Sequence, residues 1–207
     1  MSSYIDISPE VSERSAVFPG DVPYTRKVSL GFHKGDHLGL SHIETTVHVG
    51  AHADAPSHYH PQGQSIAERS LDYYLGPCQV VSAKAAPGAR LTPNDLRGEI
   101  KAPRVLFKTG SWPDPDRWND DFNSLSPQLI AALADRGVTL VGIDTPSIDP
   151  HDSKKLESHQ AVFARDMAVL EGLTLAAAPD GLYELVALPL KLRGADAAPV
   201  RAVLLKR

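Results

Sequence analysis

The chain has 207 residues, enough for one substantial core and short for two. Apolar residues make up 42% and charged residues 22%, an ordinary globular balance that excludes a disordered polypeptide. The net charge of −4 comes without any Lys/Arg block, which argues against a nucleic-acid or anionic-membrane partner, and a single cysteine excludes a disulfide framework.

The opening MSSYIDISPE has neither the basic nor the apolar stretch of a secretion signal, and no apolar run reaches the roughly 18–20 residues of a membrane helix. The expectation is a soluble cytoplasmic protein. Seven of the nine histidines lie between residues 33 and 60: His33, His37, His42, His48, His52, His58 and His60. Such crowding points to function, because imidazole titrates near neutrality and ligates metals. His33 and His37, in a Gly-rich turn, read as exposed.

The first predicted strand is Thr45–Val49, from its β-branched run. It leads into V-H-V-G-A-H-A-D-A-P-S-H-Y at residues 47–59. In an extended chain His48, His52, Asp54 and His58 share one face, with small residues on the other. A straight strand would hold His48 and His52 about 13 Å apart at about 3.3 Å per residue, too far for two ligands of one ion. The chain must bend between them. Gly50 permits the bend because it adopts positive φ without steric cost, and Pro56 sets a second turn. Two imidazoles and a carboxylate leave coordination positions open, as a catalytic metal site requires. His58 stands beside them as an acid/base or a further ligand.

Further along, Gln79–Ala83 and Arg104–Lys108 read as strands, and Thr92-Pro93 as the start of a short helix. Cys78 reads as a buried apolar residue. Residues 110–123, with Trp112 and Trp118 among prolines and aspartates, read as a long surface loop or flap. Ser126-Pro127 fits a helix start and Gly137 its stop, with Leu129, Ile130, Leu133 and Ala134 as the buried stripe. Thr139–Ile143 follows as a strand. A helix from Ser158 is expected to carry Val162, Phe163, Met167 and Leu170. Tyr183–Leu190 and Val200–Leu205 close the chain as strands. Strands alternating with helices predict an α/β or α+β fold in a single domain over 1–207.

The string His48-x-Gly50-x-His52-x-Asp54-x-Pro56-x-His58-Tyr59 resembles the H-x-G-T-H-x-D-x-P-x-H signature of the cyclase-type metal-dependent hydrolases. Within that family it is most similar to the bacterial kynurenine formamidases. Phe18-Pro19-Gly20-Asp21, Leu71 to Cys78, Asp144 to Pro150, Ser158-His159-Gln160, Glu171-Gly172-Leu173, Leu188-Pro189-Leu190 and Ala198-Pro199-Val200-Arg201 extend the resemblance over nearly the whole chain. Phe18 departs from the usual tryptophan, and Ala51 from the broader family's threonine.

The resemblance implies an α/β fold of the swivelling β/β/α type, usually homodimeric. It implies two divalent metals, with zinc expected: one on His48, His52 and Asp54, a second on Asp54, His159 and Glu171. It implies His58 as proton donor/acceptor, Phe18 at the substrate, and hydrolysis of an aryl formamide, N-formyl-L-kynurenine, to L-kynurenine and formate in tryptophan degradation. A related enzyme opening another small or cyclic amide such as isatin is the alternative, and a non-catalytic metal-binding protein a third. Spacing by itself does not suggest the His159–Glu171 pair: twelve residues of continuous helix would separate them by about 18 Å at 1.5 Å per residue. The helix must end between them for a second site to form.

Overall fold

The computed structural model describes residues 3–206. Its strands are β1 (Tyr4–Asp6), β2 (Thr25–Leu30), β3 (Leu40–Glu44), β4 (His52–Asp54), β5 (Leu75–Ser82), β6 (Arg90–Leu91), β7 (Arg104–Lys108), β8 (Ser124–Leu125), β9 (Leu140–Ile143), β10 (Ala168–Glu171), β11 (Gly181–Val186), β12 (Ala197–Pro199) and β13 (Val203–Lys206). Three α-helices join them: α1 (Pro56–Tyr59), α2 (Pro127–Ala134) and α3 (Glu157–Ala164). The fold is α/β, as the alternation of elements predicts.

Nine strands form one mixed sheet in the order β1-β13-β11-β5-β7-β9-β10-β4-β12. Its centre, β5-β7-β9-β10, is parallel, and the outer pairings are antiparallel. The central strands are apolar on both faces because both faces are covered. Val81, Val105, Phe107, Val141 and Val169 pack against α2 and α3, while Val80, Leu106, Leu140 and Leu170 face a second core containing Ile7, Tyr74 and Leu185.

Several elements differ from their sequence reading. Thr45–Val49 is not a strand: β3 ends at Glu44, and residues 47–51 form turns and bends. The short strand β4 follows the bend instead of preceding it. Thr92 caps a 3-10 turn over Pro93–Asp95. Ser126 caps α2 as expected, its hydroxyl accepting from Leu129 N–H at 3.1 Å. The helix expected from Ser158 begins at Glu157 and stops at Ala164, so Met167 lies beyond it and Leu170 belongs to β10. Their burial comes from the sheet, whose apolar spacing here mimics a helical stripe. The strand expected at Tyr183–Leu190 is β11, which begins at Gly181 and stops at Val186, and of Val200–Leu205 only Val203–Leu205 is strand, in β13, while Val200–Ala202 link it to β12. Cys78 lies fully buried in the core.

The β2–β3 hairpin stands apart from the main sheet as its own two-stranded ribbon. Val28, Leu40 and Ile43 are exposed along it, and Phe32 at its tip is 73% exposed. His33, His37 and His42 lie on this arm, all exposed.

Candidate metal centre

The site forms where four chain segments meet at the β4–β10 end of the sheet. On β4, His52 and Asp54 share a face because they are two residues apart. β4 pairs antiparallel with β10 in the register His52↔Glu171, so Glu171 joins the same face as a direct cross-strand neighbour. Gly50, at φ +60, turns the chain back and brings His48 beside Asp54. Gly172, at φ +64, lies so close that a Cβ there would meet the Gly50 carbonyl oxygen at 2.1 Å. The two glycines let the turns that carry His52 and Glu171 touch backbone to backbone.

His159 comes from the first turn of α3. The helix ends at Ala164, a turn through Asp166 (φ +46) follows, and β10 runs back to Glu171. That reversal closes the twelve-residue gap. Asp149 sets the helix in place: its carboxylate accepts the backbone N–H of Ser158 and of His159, both at 3.1 Å. This external cap explains why Ser158 is inside the helix and not at its start.

The donor atoms converge. His48 Nδ1 is 3.0 Å and His52 Nε2 3.4 Å from Asp54 Oδ1. His159 Nε2 is 3.3 Å from Asp54 Oδ2 and 3.3 Å from Glu171 Oε1, and His52 Nε2 is 3.4 Å from Glu171 Oε2. The two oxygens of Asp54 thus face opposite halves of the cluster. His58 joins its rim: His48, Asp54 and His58 offer ligand atoms within 4.8 Å of one another, as do His52, Asp54 and Glu171.

This donor set fits a divalent cation. His52 Nε2, both Asp54 oxygens and His159 Nε2 are buried and find no hydrogen-bond partner among the described residues. Each such atom costs about 1–3 kcal/mol if left alone, and four of them point at one another. The outward nitrogens are held. His48 Nε2 is 2.9 Å from Asp196 Oδ2, His52 Nδ1 is 2.9 Å from the Gly50 carbonyl, and His159 Nδ1 is 2.8 Å from Asp149 Oδ2. Outer partners of this kind fix the imidazole tautomers of metal ligands.

The electrostatics agree. Burial opposes charge on His48, but the Asp54 carboxylate 3.0 Å away and the charge of Glu171, with Asp196 behind, win and raise it to about 9. Burial likewise opposes charge on His159, and Asp149, Asp54 and Glu171 overcome it to raise that imidazole well above its ordinary value. Burial would raise Asp54, yet His159 and His48 hold it well below the usual carboxylate range. Acidic groups therefore dominate this cluster and draw positive charge inward.

A cavity of about 430 Å³ opens over the cluster. His48, His52, His58, His159 and Glu171 form its floor, and Phe18, Trp112, Trp118 and Leu156 its walls. Phe18 meets Trp118 edge-on at 5.2 Å, and Trp118 meets Trp112 at 5.3 Å. The long loop thus folds over the floor and brings both tryptophans to the cavity. His151, given no role by the sequence reading, also lines it. His60 stacks on Phe163 at 3.8 Å instead. Asp149 and Asp196 are the site residues the sequence reading missed. Asp149 lay inside a quoted motif and Asp196 two residues before another, but nothing local marks either as a histidine partner.

Residues 5–150 match the family "Cyclase", described as "Putative cyclase". The chain belongs to the cyclase family. This cyclase-family chain is 47% identical over 201 residues to the kynurenine formamidase of Bordetella petrii and 48% identical to that of Bordetella pertussis, covering 96% of each partner in both alignments. Among solved structures, one described as a potential metal-dependent hydrolase with cyclase activity superposes with a TM-score of 0.84 at 29% identity, over 99% of this chain and 98% of the other.

Proposed function

We propose that this protein is a metal-dependent arylformamidase that hydrolyses N-formyl-L-kynurenine to L-kynurenine and formate in tryptophan breakdown. The observation that carries the reading is the convergence of His48, His52, Asp54, His159 and Glu171 beneath an aromatic-walled cavity. The near-full-length similarity to kynurenine formamidases supports the choice of substrate. The reading assigns His48, His52 and Asp54 to one divalent ion and Asp54, His159 and Glu171 to a second. Zinc suits this nitrogen and oxygen donor set. When bound, such ions supply Lewis-acid chemistry, acidifying a water and drawing charge from the formyl oxygen.

The protein's own residues do the rest. Phe18, Trp112 and Trp118 offer ring faces and edges for the aryl group, and hold water away from it. His58 is the most open of the floor histidines, with its side chain 33% exposed against 2–3% for His52 and His159. Its Nδ1 faces Asp196 at 3.3 Å, which leaves Nε2 to handle protons. In the reaction the water oxygen bonds to the formyl carbon and the carbon–nitrogen bond breaks. One water proton passes by way of His58 to the departing aryl amine, and the other leaves with formic acid, which ionises at neutral pH. Proton transfer of this kind is typically worth about 10²–10⁴-fold.

The test is turnover of N-formyl-L-kynurenine by metal-replete protein, with isatin as the competing substrate. His58→Ala should retain metal and lose most of the rate. Full activity in metal-free protein would overturn the mechanism, and preference for isatin would overturn the substrate.

We further infer a cytoplasmic homodimer. No helix among the described residues is long and apolar enough to cross a membrane, and the lone Cys78 is buried. The exposed apolar β2–β3 arm supports the dimer, since a lone two-stranded hairpin is marginal in water and gains from a covering surface. Light scattering should give twice the chain mass, and Ile43→Glu should reduce it.

A further inference from the structure

Asp196 lies just before β12, the edge strand paired with β4. Its backbone carbonyl accepts the Ala55 N–H at 2.8 Å, which fixes the main chain beside the site. Its side chain reaches inward. One oxygen, Oδ2, stands 2.9 Å from His48 Nε2 and 3.3 Å from His58 Nδ1. The two imidazole centroids are 4.3 Å apart. A single carboxylate oxygen therefore touches two histidines that the reading above gives different tasks, one a ligand and one a proton carrier.

We propose that Asp196 is a positioning residue that fixes the tautomer and the ring direction of both His48 and His58 through one shared oxygen. The chemistry is that of an acceptor. A carboxylate oxygen can only accept, so both facing nitrogens must carry hydrogen. A hydrogen on His48 Nε2 leaves the Nδ1 lone pair toward Asp54 and the cluster. A hydrogen on His58 Nδ1 leaves Nε2 as the atom that exchanges protons at the cavity. Without Asp196 either ring could adopt the other tautomer or rotate. This inference rests on the proposed metal site and on His58 as proton carrier.

The side chain is separable from the fold. The Ala55–Asp196 bond uses backbone atoms alone, and the carboxylate is 48% exposed. Asp196→Asn keeps shape and removes the charge. Its amide can also present a donor to His48 and impose the wrong tautomer.

The experiment compares wild type with Asp196→Asn and Asp196→Ala in three measurements. They are zinc affinity by competition with a chromogenic chelator, melting temperature of the metal-free protein, and kcat and KM for N-formyl-L-kynurenine at saturating zinc. Both variants should lose about 10–100-fold in zinc affinity, the usual effect of removing a ligand's outer partner. Both should also lose kcat at saturating zinc with KM little changed, and melt like wild type when metal-free. Wild-type zinc affinity in Asp196→Asn, beside a wild type that binds zinc and turns over substrate, overturns this proposal alone. A fall in metal-free melting temperature that parallels the affinity loss marks a structural strut and also overturns it. A wild type that binds no zinc overturns the reading of the site, and this proposal with it.

Discussion

Gly172→Ala should damage the centre without altering any residue assigned to it. Two costs add. The residue holds φ +64, and a Cβ in the left-handed region costs roughly 1–2 kcal/mol. The new Cβ would also lie 2.1 Å from the Gly50 carbonyl oxygen and 2.8 Å from its carbon. A tolerable carbon–oxygen contact is about 3.3 Å, so the two turns must separate by about 1 Å. Backbone shifts of that kind cost typically about 1–3 kcal/mol. The sum, roughly 2–5 kcal/mol, should lower the melting temperature by roughly 4–20 °C in a chain of this size. Separation also pulls His52 from Glu171, whose facing atoms are 3.4 Å apart, and metal sites tolerate errors of only about 0.2 Å. Gly137→Ala is the control. That glycine has φ +80 with nothing within 4 Å of the added carbon, so it incurs the conformational cost alone. Calorimetric scans and zinc competition on both variants separate the two costs. Equal melting losses, or wild-type zinc affinity in both, would refute the close-approach argument.

The remaining expectations concern charge, support and substrate contact. His48 is raised from 6.5 to about 9 in the metal-free protein, so it favours folding fully below its unfolded value of 6.5 and loses that contribution as pH rises toward about 9. Zinc must displace this proton, so affinity should climb through the same window, and calorimetry at pH 7 in buffers of different ionisation enthalpy should detect proton release; binding without release would contradict the assignment. Asp149→Ala removes the partner of His159 Nδ1 and of Arg90, 2.7 Å away, and should cost about 3 kcal/mol in urea unfolding, the low end for a broken buried pair because Arg90 keeps some solvent and Glu157. A loss no larger than that of an exposed substitution would rule this out. Phe18→Ala removes one aromatic wall and should raise KM about 2- to 10-fold, in line with about 0.5–1.5 kcal/mol for an aromatic contact, with kcat less affected. An unchanged KM would remove Phe18 from the substrate site.

Local chemistry wrote much of this protein into its sequence. The bend at Gly50 follows from the impossibility of joining His48 and His52 across a straight strand. The common face of His52 and Asp54 follows from strand period. Ser126-Pro127 and the apolar stripe after it specify α2, and the run Arg104–Lys108 specifies β7, since cap chemistry and central-strand hydrophobicity act within a few residues. Where local signals are ambiguous, the tertiary context decides. Met167 and Leu170 continue an apolar pattern past Ala164, and only Asp166, turning at φ +46, ends the helix and lets Leu170 enter a strand.

Tertiary structure decided what brings distant residues together. The register His52↔Glu171, the contact of the Gly50 and Gly172 turns, and the arrival of Asp149 and Asp196 behind His159 and His48 all join parts of the chain that have no local reason to meet. The composition alone announced a histidine cluster at 33–60. The fold divided it: His48, His52 and His58 went to the cavity floor, His33, His37 and His42 to an exposed arm, and His60 to a stack on Phe163. Spacing sets which side chains can share a face, but strand pairing over more than a hundred residues sets which faces meet.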